Sequence, residues 1–319
     1  MEGDLMKTLR NLALLTAAFA YAVIVLGFIV RITESGMGCG DDWPLCNGQL
    51  IPSFDSVEVV IEYGHRLAVL GLGGLTVAVV ALAGGLRAFP GAAGRGGTVR
   101  PAMLVVGLLI VQSLLGALAV RLELPSHTVV LHLGTGLALL AALVVLGLRA
   151  GVLAGATQPP ETGVPGRGGI IAALALTAAV VLMGGMTATT GAAVSCQGFP
   201  LCNGQFWPDG GGSGLPHIHW THRLLAYALF FHLMGLGLGL RRRGASQRIQ
   251  STAWLAFGVA VAQVAVGAIM VLTILPPVWR ALHAALGTGV WVGLVYLVWV
   301  TAGSQNRMVE GGQGHSGAT

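Results

Sequence analysis

Eight apolar runs divide this chain of 319 residues, and polar or Gly/Pro-rich segments separate them. Each run is about 20 residues long, which is the length an α-helix needs to cross the hydrocarbon core of a bilayer. The runs lie at roughly 11–31, 64–86, 102–121, 129–149, 170–190, 220–240, 253–273 and 281–301. The pattern predicts an all-α polytopic membrane protein with eight transmembrane helices.

Composition supports this class, because 55% of the residues are hydrophobic and only 9% are charged. The 50 glycines would break a soluble helical protein, yet they suit close packing between membrane helices. They therefore argue for helix packing and not for phosphate binding. The net charge of +5 does not indicate a nucleic-acid partner, because the basic residues are distributed over alternate loops.

Basic residues fall mainly in alternate polar segments, and most acidic residues and all cysteines fall in the others. The basic set is Lys7, Arg10, Arg87, Arg95, Arg100, Arg149, Arg167, Arg241, Arg242, Arg243, Arg248 and Arg307. The acidic set is Glu34, Asp41, Asp42, Asp55, Glu58, Glu62, Glu123 and Asp209. Because Lys- and Arg-rich loops stay in the cytoplasm, both termini are predicted to be cytoplasmic. The expected location is the cell membrane, with the cysteine loops facing outward and the first apolar run retained as a helix.

The second half of the chain repeats the first. The repeated motifs are PLCNGQ at 44–49 and 200–205, EYGHR at 62–66 with HWTHR at 219–223, and LHLGTG at 131–136 with LHAALGTG at 282–289. Gln112 and Gln263 share the 151-residue spacing of the last pair. A Pro- and Gly-rich segment at about 153–169 separates the repeats. We therefore predict two repeated four-helix bundles, residues 1–158 and 159–319, inserted with the same orientation.

Four histidines occupy equivalent positions in the two halves, near the outer starts of the even-numbered helices. His222 follows His65 by 157 residues, and His283 follows His132 by 151. Two imidazoles that face each other across a four-helix bundle can ligate a heme iron from both sides. The alternative is that each histidine is a polar residue hydrogen-bonded at the membrane interface. Because intramembrane ionisable groups are usually functional, heme ligation is the favoured interpretation.

A carboxylate accompanies the histidine in the first half only. Glu62 and His65 are i and i+3 neighbours in a helix, so both side chains lie on one face, within reach of one ligand. His219 stands at the matching position of the second half. An arginine follows the histidine in each half, Arg66 or Arg223, where it would pair with heme propionates or anchor the helix end.

The pattern H-x-H-x-x-H at 217–222 allows another interpretation, a copper or zinc site. Heme ligation ranks above it, because His217 and His219 have no histidine counterpart in the first half. Covalent heme attachment is excluded, because the motif Cys-x-x-Cys-His is absent.

Each long outer loop contains two cysteines, Cys39 with Cys46 and Cys196 with Cys202. Each pair is close in sequence and lies in an oxidising compartment, so two local disulfides are expected. Free buried thiols are the alternative. A zinc site is disfavoured, because no second Cys or His pair lies beside them at ligand spacing. Six residues intervene in one pair and five in the other, so the two pairs need not do the same thing.

Together these motifs resemble those of the heme A synthase family, over nearly the whole chain. The resemblance rests on eight helices in two halves, GHR with a preceding glutamate, a second THR, two HxxLGTG-like helix starts and a cysteine pair in each outer loop. It implies an enzyme that oxidises the C8 methyl of heme O to the formyl group of heme A, for delivery to cytochrome oxidase.

The resemblance also implies a role for each half. His222 and His283 would hold a heme b cofactor, while His65 and His132 would bind the substrate heme. Glu62 matches the functional glutamate of the family, and the four cysteines match its outer-loop cysteines. Heme O synthase and the cytochrome oxidase assembly machinery are the implied partners, the surroundings are membrane lipid, and a homo-oligomer is compatible.

Two other functions share part of the pattern. A di-heme b-type cytochrome that relays electrons from quinol needs the paired histidines, but not a carboxylate in one half only. A transporter built from repeats needs ionisable residues and broken helices near the bilayer midplane, whereas these charges cluster at the outer ends. In a synthase, Glu62 would act as a base or stabilise a cation on the porphyrin edge, and water would supply the formyl oxygen.

Overall fold

The computed structural model describes residues 2–209 and 212–303, and this part of the chain is almost entirely helical. Its long helices are α1 (Glu2–Ile32), α2 (Val57–Gly85), α3 (Val99–Arg121), α4 (Ser126–Leu153), α5 (Arg167–Thr189), α6 (Leu215–Arg242), α7 (Gln247–Leu272) and α8 (Pro277–Val300). All eight are long and apolar enough to cross a membrane, and the described residues contain no strand. The predicted fold class is confirmed. Arg307, which helped to orient the C-terminus, lies outside the described residues.

Local sequence explains where several helices begin. The side chains of Ser56 and Ser246 accept hydrogen bonds from the main-chain N–H groups of Val59 and Ile249, which caps α2 and α7. Pro277 is the first residue of α8, where its missing N–H is no loss. The outer ends of α2 and α8 are thereby fixed, and these ends carry two of the four histidines.

The turns before α4 and α8 have the same unusual backbone. Glu123 and Leu124 have φ angles of 58° and 60°, and Ile274 and Leu275 have φ angles of 62° and 58°. Left-handed backbone is uncommon for residues other than glycine, so two such pairs at the repeat spacing are a specific shared feature. The division into residues 1–158 and 159–319 stays a prediction, with which these turns are consistent.

Helices from both halves pack together through α1, α4, α5 and α8. The Tyr21 hydroxyl of α1 donates to the Ala285 carbonyl of α8 at 2.5 Å, and the Trp291 indole N–H donates to the Leu137 carbonyl of α4 at 3.0 Å. Buried Tyr and Trp usually find such partners, because an unpaired polar group in apolar surroundings is unfavourable. A shared core thus joins the two groups of four helices.

The first outer loop lies directly on the start of α2. A Cβ added at Gly38 of this loop would lie 2.5 Å from the carbonyl carbon of Glu58, so only glycine permits this approach. The neighbouring residue is Cys39. The loop is therefore held against the helix that carries Glu62 and His65.

Candidate functional site

The four histidines lie at similar depths in the even-numbered helices. They are six to eight residues beyond the first residue of α2, α4, α6 and α8. At a rise of 1.5 Å per residue, this is roughly 10 Å along each helix. The structure thus brings one histidine from each even helix to a common level, as the repeat predicted.

His222 and His283 form a close pair in the second half. Their ring centres are 6.4 Å apart, and the ring planes lie at 77° to each other. Metal–imidazole nitrogen bonds are about 2 Å long, so two histidines that share one metal have ring centres roughly 6 Å apart. The observed separation fits an iron held between the two rings.

A cavity of about 170 Å³ lies beside this pair. Most of its lining comes from α5, α6, α7 and α8, and it includes Gln263 and His219. Phe28 and Arg31 of α1 complete the wall, together with Arg280 of α8. A largely apolar cavity with a few polar groups is typical of a cofactor site.

The hydrogen bonds of the histidine rings also fit metal ligation. Nδ1 of His222 donates to the Val180 carbonyl at 3.0 Å, which leaves Nε2 as the nitrogen with a free lone pair. In the described part of the chain, the Nδ1 atoms of His65, His132 and His283 are buried and make no hydrogen bond. A buried polar atom without a partner is unfavourable by about 1–3 kcal/mol. Such atoms are expected at a site built for a further group.

His65 and His132 are the corresponding pair in the first half. They are close enough to interact electrostatically across the bundle. The Gln112 side-chain amide lies 3.2 Å from Nε2 of His132, to which it can donate. In the sequence, Gln112 stands out only because it matches Gln263 at the repeat spacing. That match is the signal that could have indicated a shared role for the two residues beside the histidines.

Glu62 is buried at the base of the first outer loop, with only 3% of its surface exposed. Its Oε1 accepts two hydrogen bonds from Arg66, at 3.2 and 2.6 Å, and its Oε2 accepts one from the Cys39 N–H at 2.8 Å. Arg66 also donates to the carbonyls of Asp42 and Leu45, at 2.8 and 2.6 Å. The carboxylate and the guanidinium therefore hold the disulfide loop onto α2.

The second half replaces this ion pair with neutral contacts. Nδ1 of the buried His219 donates to the Ala192 carbonyl at 3.1 Å. Arg223 donates to the carbonyls of Cys196, Gly198 and Leu201, at 2.7, 2.9 and 2.8 Å. No carboxylate forms an ion pair with Arg223 in the described residues. Both Arg66 and Arg223 are thus engaged with the outer loops, and their pairing with propionates stays a prediction.

Both predicted disulfides are formed, Cys39 with Cys46 and Cys196 with Cys202. All four cysteines are buried. Trp220 packs against the second pair. The expectation of two local disulfides is confirmed.

The structure does not support a copper or zinc site at 217–222. Within the described ranges, no three His, Cys, Asp or Glu side chains converge as metal ligands would. His217 packs instead against Trp207, with ring centres 5.7 Å apart. Of the three histidines in this motif, His222 and His219 line the cavity.

Comparisons with known proteins show the family to which this chain belongs. A family model described as cytochrome oxidase assembly protein, COX15-CtaA, matches residues 10–295. The heme A synthase of Symbiobacterium thermophilum is 33% identical over 306 residues, which cover 93% of this chain and 96% of that protein. The heme A synthase of Halalkalibacterium halodurans is 33% identical over 306 residues, covering 95% and 99%. That of Alkalihalophilus pseudofirmus is 32% identical over 269 residues, covering 84% and 88%.

Fold and site together define a polytopic membrane protein with two histidine pairs, one of them close to a buried carboxylate. The chain belongs to the heme A synthase family of cytochrome oxidase assembly proteins. The resemblance inferred from the motifs is confirmed.

Proposed function

We propose that this protein oxidises the C8 methyl of heme O to a formyl group and so produces heme A for cytochrome oxidase. The observation that carries the proposal is the asymmetry between two otherwise similar histidine pairs. One pair accompanies the Glu62–Arg66 ion pair, whereas the other borders a cavity and lacks a carboxylate at the matching position. One site is therefore suited to chemistry and the other to a resident cofactor.

The second half is the proposed site of heme b. His222 and His283 would hold its iron, as their ring separation and the free Nε2 of His222 support. Bound there, heme b supplies a one-electron carrier between the substrate and an external acceptor.

The anionic edge of heme b needs cationic partners, and we assign this role to Arg31 and Arg280. Both line the cavity, and they are close enough to repel each other. Neither forms an ion pair with a carboxylate in the described residues, although Glu34 has a weaker favourable interaction with Arg280. Propionates would neutralise the two charges with charge-assisted hydrogen bonds. Arg66 and Arg223 are the less favoured partners, because loop carbonyls already occupy them.

The first half is the proposed site of the substrate heme, with His65 and His132 as its ligands. Conversion of a methyl and one water to a formyl group releases four electrons and four protons. Each of two rounds removes two electrons and a proton from the carbon, and water then adds to the resulting cation and releases a second proton. The second round gives a hydrated aldehyde, which loses one water to form the formyl group. An electron acceptor outside this chain takes the electrons, and water supplies the formyl oxygen.

Glu62 is proposed to act mainly as a fixed negative charge. An ionised carboxylate offers about four acceptor directions, and Arg66 and Cys39 occupy three of them. A carboxylate held in this way is poorly placed to leave its partners and take a proton. Its charge still stabilises a developing cation nearby. This favours electrostatic stabilisation over general-base catalysis.

The proposal also includes the surroundings of the enzyme. We place it in the cell membrane with both termini in the cytoplasm, where heme O synthase would supply the substrate. Cytochrome oxidase assembly would consume the product, and a homo-oligomer is compatible with this scheme. The rival transporter function needs broken helices at the midplane, whereas all eight described helices are continuous.

The decisive test is pigment analysis of the purified protein followed by incubation with heme O and an oxidant. The proposed synthase contains heme b and converts heme O to heme A, with the formyl oxygen taken from isotopically labelled water. Two tightly held b hemes and no conversion would instead identify the di-heme cytochrome. Label arriving from O₂ would remove the water-dependent route.

A further inference from the structure

Each of the four histidines packs against a glycine of the preceding helix. The pairs are Gly27 with His65, Gly116 with His132, Gly184 with His222, and Gly267 with His283. In every pair, the atom nearest to the place of a glycine Cβ is the ring carbon Cε1, which lies between the two ring nitrogens. The helix pairs α1–α2, α3–α4, α5–α6 and α7–α8 therefore share one contact.

A methyl group has little or no room at these glycines. The distance from such a Cβ to Cε1 of the facing histidine would be 3.3 Å for Gly27, 3.0 Å for Gly116, 2.9 Å for Gly184 and 3.0 Å for Gly267. Carbon atoms in contact normally lie about 3.5–4.0 Å apart. An alanine would therefore move the ring or separate the helices.

Other glycines of these helix pairs do not have this constraint. A Cβ at Gly107 of α3, Gly235 of α6 or Gly258 of α7 would meet nothing within 4 Å. The histidine-facing glycines also have the repeat spacing of the histidines: Gly184 follows Gly27 by 157 residues, and Gly267 follows Gly116 by 151. The contact therefore belongs to the histidine sites and is not a general feature of these glycine-rich helices.

The glycine also leaves a main-chain carbonyl open to the ring. Val180, whose carbonyl accepts the Nδ1–H of His222, lies one helical turn before Gly184. A helical side chain covers the turn that precedes its own Cα, so a side chain at position 184 would cover this carbonyl. Glycine leaves the carbonyl accessible to the imidazole.

The same register recurs beside the fourth helix of each half. Gln112 lies four residues before Gly116, and its side-chain amide lies 3.2 Å from Nε2 of His132. Gln263 lies four residues before Gly267, and it lines the same cavity as His283. In both halves, the residue one turn before this glycine thus lies at the histidine site of the fourth helix.

We propose that Gly27, Gly116, Gly184 and Gly267 are positioning residues that set the orientation of the heme-ligating imidazoles. Each admits its ring to the helix surface, and Gly184 also leaves open the Val180 carbonyl, which accepts from Nδ1 of His222. A hydrogen bond from Nδ1 to a carbonyl fixes the tautomer that leaves Nε2 for a metal, and it raises the donor strength of the ligand. This inference rests on the proposed function in one respect, namely that the histidines bind heme. It does not depend on the oxidation of heme O.

The test compares Gly184→Ala and Gly267→Ala with Gly235→Ala and Gly258→Ala, all in the full-length protein purified with heme b. The readouts are the electron paramagnetic resonance spectrum of the low-spin ferric heme and its midpoint potential. Gly184→Ala is expected to shift the spectrum and raise the potential, because a weaker Nδ1–carbonyl bond makes the histidine a weaker donor. The two control variants are expected to match the wild type. A wild-type spectrum and potential in heme-loaded Gly184→Ala would overturn the inference.

The first half supplies a second test if the Gly184 and Gly267 variants do not accumulate. In Gly27→Ala and Gly116→Ala, the spectrum of heme b in the second half reports correct folding. These variants are expected to bind added heme O at least about tenfold more weakly than Gly107→Ala, and unchanged binding would contradict the proposal. A wild type that holds heme b but never oxidises heme O would refute the proposed function, while leaving these spectral and binding outcomes intact.

Discussion

Single residues at the two histidine sites are held in place by hydrogen bonds to the outer loops. Glu62 and His219 occupy matching positions, and each bonds to the main chain of its own loop, at Cys39 and Ala192. The difference between them is charge, because only Glu62 completes an ion pair, with Arg66. The chemistry of the two sites is therefore expected to diverge at this position.

Replacing Glu62 with Gln keeps the size of the side chain and removes its charge. We expect Glu62→Gln to retain heme b and to stop oxidation of heme O or stall it at the alcohol, with a rate loss of about a hundredfold. That loss corresponds to about 2.7 kcal/mol of transition-state stabilisation. The measurement is the ratio of heme O, alcohol and heme A in extracted pigment.

The matched control for this change is His219→Gln, which is expected to leave activity largely intact. Near-normal heme A formation by Glu62→Gln would remove this residue from the mechanism. A severe loss in His219→Gln would show that the second half does more than relay electrons.

At the scale of elements, each long outer loop depends on one arginine from an even helix. Arg223 of α6 donates to three carbonyls of the second loop, and 6% of its surface is exposed. We expect Arg223→Ala to destabilise the protein by about 2 kcal/mol, since unpaired buried acceptors are unfavourable by about 1–3 kcal/mol. The measurement is the apparent Tm in detergent, together with proteolysis of residues 196–209.

Arg241→Ala is the control for that prediction, because Arg241 is an exposed arginine at the opposite end of the same helix. Equal Tm values and equal proteolysis in the two variants would show that Arg223 does not hold the loop.

The histidine ligands allow a second prediction at the scale of elements. His222→Ala and His283→Ala are expected to lose heme b, because their rings form the pair beside the second-half cavity. His65→Ala and His132→Ala are expected to keep heme b and to lose conversion of heme O. Pigment spectra of the four variants test this, and loss of heme b in His65→Ala but not in His222→Ala would reverse the assignment of the halves.

Helix boundaries show where hydropathy stops being informative. The first apolar run was predicted at 11–31, yet α1 extends over Glu2–Ile32. Asp4, Lys7 and Arg10 end the apolar pattern, but a helix needs no apolar face beyond the membrane. The sixth run was predicted to begin at 220, whereas α6 begins at Leu215, because the polar residues before it still form helical hydrogen bonds.

At the scale of the whole molecule, the sequence predicted those site residues that the repeat marks. The spacing of 157 and 151 residues identified the histidines, and the compartment argument identified the disulfides. The sequence did not identify Arg31 and Arg280 as site residues. They come from α1 and α8 and meet only because the two halves pack together, so neither repeat spacing nor a local motif marks them.

This arrangement makes the proposed heme b site a product of both halves. Arg31 belongs to a helix of the first half, but it lines the cavity beside His222 and His283. The site is therefore expected to lose affinity for heme b when Arg31 is changed, although His222, His283 and the rest of the second half remain intact.

We expect Arg31→Ala and Arg280→Ala each to weaken heme b retention about tenfold or more. Hydrogen bonds to charged groups contribute about 1.5–3 kcal/mol, and about 1.4 kcal/mol corresponds to tenfold in affinity. Lysine at either position keeps the charge but loses the bidentate geometry, so the Lys variants are expected to retain intermediate amounts. Arg121→Ala is the control, since Arg121 is an exposed arginine at the outer end of α3. Heme b content per protein, measured after dilution in detergent, decides the point: full retention in both Ala variants would return the propionate role to Arg66 and Arg223.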